Sequence, residues 1–160
     1  MLCPRFYLLH SHRQDNVILA KTESVEDIKS VLCNPAIYDT ITDDNSPNIE
    51  DFEPPINDKY LYVGGYVNGE IIGLMVYHEY LDGNECHVQV LPEHRKEHAK
   101  EFGEQSLKFR GTQPLYAEIP DLYKNVLDFA LLNNFKVIKR IDAGFIKNGE
   151  NYTVNVLRYK

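Results

Sequence analysis

Apolar and polar residues alternate with a period of two over much of this chain, and between those stretches the spacing changes to threes and fours. Val17-Ile-Leu-Ala-Lys reads as a first strand. Ser24-Val-Glu-Asp opens a helix that Ser24 can cap and Asp27 can complete as a capping box, with Val25, Ile28, Val31 and Leu32 inward. Asn34-Pro35 interrupts it, and a second short helical stretch runs through Ile37 and Ile41. From Thr42 to Asp58 the text is acidic and Pro-rich, which predicts an irregular loop of the kind that is functional or mobile.

Two β-rich runs, Tyr60–Val67 and Glu70–Tyr77, flank Asn68-Gly69, a pair that accepts positive φ at both positions, so a hairpin is expected. Asp82-Gly83 predicts another turn before a strand from Glu85, in which Val88 and Val90 alternate with His87 and Gln89. Pro92 and Glu93 then open a charged helix to about Arg110. Ala99, Phe102, Gly103, Ser106 and Phe109 are expected on its inner face, opposite a stripe of Lys96, Lys100, Glu104 and Lys108. A strand from Pro114 to Ile119 follows, then a helix from Asp121 to Asn133 with Leu122, Val126, Phe129 and Ala130 inward. Asn133-Asn134 suits a left-handed cap. Strands at Phe135–Ile141 and Tyr152–Leu157 pair across a loop holding Asn148-Gly149. The order is β-α-(α)-β-β-β-α-β-α-β-β in one domain, 1–160: an α/β (α+β) chain with a mixed, mostly antiparallel sheet of about seven strands and about four helices.

Charge narrows the partners. A net charge of −7 argues against nucleic acid, whose binding draws on phosphate contacts, and is compatible with an amine substrate. No apolar run reaches membrane-spanning length and Met1-Leu-Cys-Pro-Arg-Phe is no signal peptide, so neither membrane nor export is expected. Cys3, Cys33 and Cys86 are scattered without metal spacing, which fits a reducing cytoplasm.

The junction Val90-Leu-Pro-Glu-His-Arg95 joins a strand to a helix start, where free N–H groups and the dipole favour an anion. Those residues resemble the strand-to-helix junction of the GNAT superfamily of N-acetyltransferases, and the element order resembles that family over essentially the whole chain. The likeness implies acetyl transfer from acetyl-CoA, as co-substrate, to a primary amine of a small molecule or a protein. It places the pantetheine arm against the main chain of Val88 and Val90. It places the pyrophosphate against the turn from Arg95 through Lys96, Glu97, His98 and Ala99 to Lys100, with Arg95, Lys96 and Lys100 adding charge. His98 and Lys100 stand where the family uses glycine, and Ala130 stands where it often has a general-acid Tyr, with Tyr116 and Tyr123 off that position. The stretch Asn34–Asp44 also resembles small phage-encoded GNAT-like proteins, some labelled head-assembly proteins. That implies a second reading, a fold kept as a binding or assembly module.

For the base that deprotonates the amine, the residues near the fourth strand are Glu79, Glu85 and His87. An imidazole of ordinary pKa, about 6.5, suits proton removal near neutrality, and a water relayed to either glutamate serves equally. No metal is expected: His94-Arg-Lys-Glu-His98 matches an inverted zinc-protease pattern, but no third ligand follows it. His10-Ser-His12 has no partner spacing, and the tyrosines at 60, 62 and 66 read as strand packing. The last strand, with Val154-Asn-Val-Leu-Arg, is expected at an open sheet edge where a second copy could pair.

Overall fold

A computed structural model describes residues 16–111 and 113–160; Cys3 and the His10/His12 pair lie outside them. Strand β1 (Ile18–Lys21) leads to α1 (Val25–Leu32), where Ser24 Oγ accepts the N–H of Asp27 at 3.2 Å. Only that half of the expected box forms. The Asp27 carboxylate accepts instead from Tyr66 Oη at 2.9 Å, and the N–H of Ser24 donates to Thr22 Oγ1. Asn34 caps α2 (Pro35–Ile41) through its side chain, and Pro35 takes the first turn, where its missing N–H costs nothing.

The acidic loop from 42 to 58 is irregular apart from one 3₁₀ turn, yet it is tied down. Tyr38 and Tyr62 donate to the carbonyls of Pro47 and Pro55, and Phe52 meets the Tyr38 ring edge-on. Asp44 accepts from the N–H groups of Asn148 and Gly149, which holds its pKa below the ordinary carboxylate range.

Strands β2 (Tyr60–Val67) and β3 (Glu70–Tyr80) meet at Asn68-Gly69, both at positive φ as that two-residue turn demands. The next hairpin corrects the sequence reading. Its loop is Leu81-Asp82, with Leu81 at φ 49°, and Gly83 is the first residue of β4 (Gly83–Val90). Glycine is needed at 83 because a Cβ there would run into the carbonyl of Pro114. After a 3₁₀ turn at Pro92–His94 come α3 (Arg95–Phe109), β5 (Leu115–Pro120), α4 (Lys124–Leu132), β6 (Phe135–Lys147) and β7 (Glu150–Tyr159). Asn134, at φ 67°, makes the expected left-handed stop after α4.

The seven strands form one sheet in the order β1-β2-β3-β4-β5-β7-β6, antiparallel except for β4 with β5. The expectation that the last strand forms an edge does not hold. β7 lies between β5 and β6, and β6 is the edge. One face of the sheet packs Met75, Tyr77, Cys86, Val90, Phe102, Leu115, Ala117 and Leu157 beneath α3 and α4; the other packs Leu74, Val76, Tyr62 and Leu91 against α1 and α2. Three inner faces differ from expectation. In α1, Ile28, Val31 and Leu32 are buried but Val25 is exposed. In α3 it is His98 and Leu107 that are buried with Phe102, Gly103 and Ser106, while Phe109, the last residue of the helix, is exposed. At α4, Ala130 is buried and Phe129 meets Gly103 of α3, as expected, while Tyr123 and Leu127 pack on the core in place of Leu122 and Val126, which are exposed.

Candidate active site

Parallel strands β4 and β5 pair only at Asn84–Leu115 and Glu85–Tyr116. Beyond that point they part, and among the described residues the backbone of β4 from Cys86 to Val90 has β3 as its only strand partner. A fork in a sheet leaves main-chain groups on its open side that must find another partner. Extended backbone with one free edge is a docking strip for a chain of amide groups. Val88 and Val90 lie on this strip, with their side chains turned to the α3/α4 core.

Alternation along β4 puts Glu85 and His87 on the opposite face, toward α1 and α2, and no bulge interrupts the register with β3 between Gly73–Val90 and Tyr80–Gly83. Glu85 stands at the base of the fork and is 94% buried. Burial first, and then the Glu118 carboxylate, push its pKa up to about 7, offset in part by the backbone N–H of Glu118. His87 is held below the ordinary imidazole range by desolvation and by the neighbouring His78, although two fifths of its side chain stays accessible. Its Nε2 lies 3.4 Å from Glu85 Oε1. Around them stand carboxylates and rings: Tyr80 donates to Glu118 at 2.6 Å, Tyr116 donates to Asp82 at 2.5 Å, and the Tyr80 and Tyr116 rings are 5.3 Å apart.

The third glutamate named from the sequence does not join them. Glu79 pairs with Asn84 on the other face of the sheet and is exposed. Three residues that the sequence reading passed over do join: His78, Tyr80 and Glu118. The signal for His78 lies in the hairpin: a loop of Leu81-Asp82 sets His78 directly opposite Glu85.

At the start of α3, the side chains of Arg95, Lys96, Glu97 and Lys100 are exposed, Ala99 is half-buried and His98 is buried. Arg95 Nε donates to the carbonyl of Val90 at 2.9 Å, so this side chain braces the junction. The N–H groups of His94 and Arg95 are taken by Leu91 and Pro92, and those of Ala99 and Lys100 lie within the helical ladder. Lys96 and Lys100 supply the free cationic side chains at this end. Position 130 is a buried Ala, Tyr116 is committed to Asp82, and Tyr123 lies beside the Asp39 carbonyl.

No protein-family model matches the chain, and no curated sequence matches it. Solved structures do. A spermidine N-acetyltransferase from Vibrio cholerae, in complex with CoA and spermine, superposes with a TM-score of 0.75 at 15% identity, covering 89% of this chain and 94% of that one. The ribosomal-protein-S18-alanine N-acetyltransferase from Escherichia coli gives 0.63 at 13%, covering 89% and 92%. An acetyltransferase of the GNAT family from Streptococcus pneumoniae gives 0.67 at 11%, covering 89% and 98%. None of these is a phage protein, and the phage likeness finds no support among them. At such identities the likeness speaks for architecture alone: this chain has the GNAT N-acetyltransferase fold.

Proposed function

We propose that the chain transfers an acetyl group from acetyl-CoA to a primary amine, with Glu85 as the proton acceptor. The observation that carries this is the fork between β4 and β5, with a buried carboxylate at its base and a lysine-bearing helix start at its far end.

The residues present fit the co-substrate. The free edge of β4 at Val88, with the Val90 carbonyl shared with Arg95, matches the amides of a pantetheine arm, and Lys96 and Lys100 match a pyrophosphate. Bound there, acetyl-CoA supplies the activated acyl group. The protein's part is to bring an amine to the fork and take its proton. An ammonium loses one proton to the Glu85 carboxylate, directly or by way of His87, and the freed nitrogen lone pair attacks the thioester carbon. The C–S bond then breaks as the C–N bond is completed, and the nitrogen gives up its second proton to the departing thiolate, directly or through water. The thiolate of a thiol of ordinary pKa, about 8.5, leaves readily without a positioned acid, so an Ala at position 130 is no obstacle.

The carboxylates of Glu85, Glu118 and Asp82 and the rings of Tyr80 and Tyr116 favour a cationic acceptor, so polyamines of the kind a neighbouring enzyme acetylates head the acceptor screen. The first test is calorimetric titration with acetyl-CoA, with desulfo-CoA and ATP as controls. Micromolar binding selective for the CoA skeleton, weakened at least about tenfold in Lys96→Ala/Lys100→Ala, is the expected result. No binding at millimolar cofactor overturns the reading.

One observation favours a second reading. With His98 buried where the family has glycine, and the N–H groups of His94 and Arg95 already taken, the pyrophosphate seat is lean. A fold retained as a binding module predicts no acetyl-CoA binding and loss of function on altering the 42–58 loop.

A further inference from the structure

The carboxylate at the fork faces two imidazoles, and their geometry goes beyond proton transfer. His78 of β3 and His87 of β4 bring their Nε2 atoms to 2.9 Å of each other. Glu85 Oε2 lies 3.4 Å from His78 Nε2, and Glu85 Oε1 lies 3.4 Å from His87 Nε2. Among the described residues this is the group of His, Cys, Asp or Glu whose ligand atoms share one small volume, all within 4.8 Å of one another. Two ligands bound at about 2.0–2.1 Å to a tetrahedral ion stand about 3.3 Å apart, so the two nitrogen–oxygen separations already have the required size. The nitrogen pair has to open by a few tenths of an ångström, and His87 is exposed enough on one side to move.

A second observation concerns orientation. His78 Nδ1 lies 3.2 Å from the carbonyl oxygen of Glu79. A carbonyl only accepts, so Nδ1 carries the hydrogen, and in the neutral ring the lone pair sits on Nε2, aimed at Glu85 and His87. A backbone carbonyl fixing the tautomer of an imidazole in this way is the usual outer support of a metal-ligating histidine. The ring is further wedged by Tyr60, 5.4 Å away. Rigid strands hold all three side chains in unbroken register.

We propose that His78, Glu85 and His87 form a binding site for a divalent transition-metal ion such as zinc, with the fourth position open to the cleft. Two imidazole nitrogens and one carboxylate suit zinc, cobalt or nickel and are too few and too soft for magnesium or calcium. Binding of the metal stands on this geometry alone. A consequence rests on the acetyltransferase reading: an ion held here takes up the lone pairs that would accept the amine's proton, so zinc is a reversible inhibitor of acetyl transfer.

The test titrates cobalt(II) into the untagged, chelator-stripped full chain, followed by its visible ligand-field absorption, and then displaces it with zinc. One equivalent binding at micromolar or tighter affinity is expected, with His78→Ala and Glu85→Gln each weakening it at least about a hundredfold and His98→Gln leaving it unchanged. Glu85→Gln is isosteric and keeps the fold if His78→Ala does not. No saturable binding below about 100 µM, or binding that follows His98 and His94 instead, overturns the site. Failure to find an acetyl acceptor would remove the inhibition assay and leave the cobalt titration decisive.

Discussion

The two faces of β4 share one backbone and differ in everything else. Toward α3 and α4, Cys86, Val88 and Val90 pack on Met75, Tyr77 and Phe102 in the larger core, and burial pushes the Cys86 thiol up to about 12, out of reach of chemistry near neutrality. Toward α1 and α2, Glu85 is buried and His87 half-exposed, both outside the apolar cluster of Leu74, Val76 and Leu91 that those helices cover. A strand buried on one side and forked on the other can be rigid and reactive at once. Its apolar face fixes where its polar face points.

That division predicts where damage falls. The largest effect belongs to the packed face. Phe102 is fully buried and lies against the β2–β3 strands, so Phe102→Ala removes a large ring from a core with nothing to refill it. A loss of about 3–5 kcal/mol in urea or guanidinium unfolding is expected. A loss under about 1 kcal/mol would show that α3 does not close this face.

On the polar face the sign for stability reverses. Glu85 is an acid that burial has made reluctant to ionise, so its charged form costs the fold free energy. Glu85→Gln keeps the shape and drops the charge. In chelator-treated protein near neutral pH its thermal midpoint should equal or exceed that of the parent. Acetyl transfer, once an acceptor is found, should fall about 10²–10⁴-fold in kcat with KM for acetyl-CoA little changed. Lost stability together with intact turnover would assign Glu85 to structure.

Much of this contrast was legible in the sequence. Alternation at Val88 and Val90 against His87 gave the two faces of β4, and Asn68-Gly69 and Asn148-Gly149 gave two hairpins with their turns. What escaped were contacts between elements. Gly83 reads as a turn residue until Pro114 is seen beside it, a partner 31 positions away. His78 looks like any polar strand residue until the Leu81-Asp82 loop sets it opposite Glu85, and a one-residue change in loop length flips every side chain to the other face. Part of the α4 face escaped because Leu122, Val126, Leu127, Phe129 and Ala130 offer apolar residues at several angles, and only the sheet decides which are covered.

The smallest expected effect is the sharpest control on the comparison. Glu79 and Glu85 are the same residue type within one hairpin, and from sequence they are equal as bases. In the structure Glu79 sits opposite Asn84 on the α3/α4 side, exposed, and its backbone carbonyl is the part that matters, since it receives His78 Nδ1. Glu79→Gln leaves that carbonyl in place and removes a solvated charge, so stability should move by no more than about 0.5 kcal/mol. Cobalt binding and acetyl transfer should be unchanged within about twofold. A tenfold loss of turnover in Glu79→Gln, with Glu85→Gln active, would mean that acceptor and acetyl group meet on the other face of the sheet. The proton acceptor would then have to be sought beside Asn84 and Gln113, not beside His87.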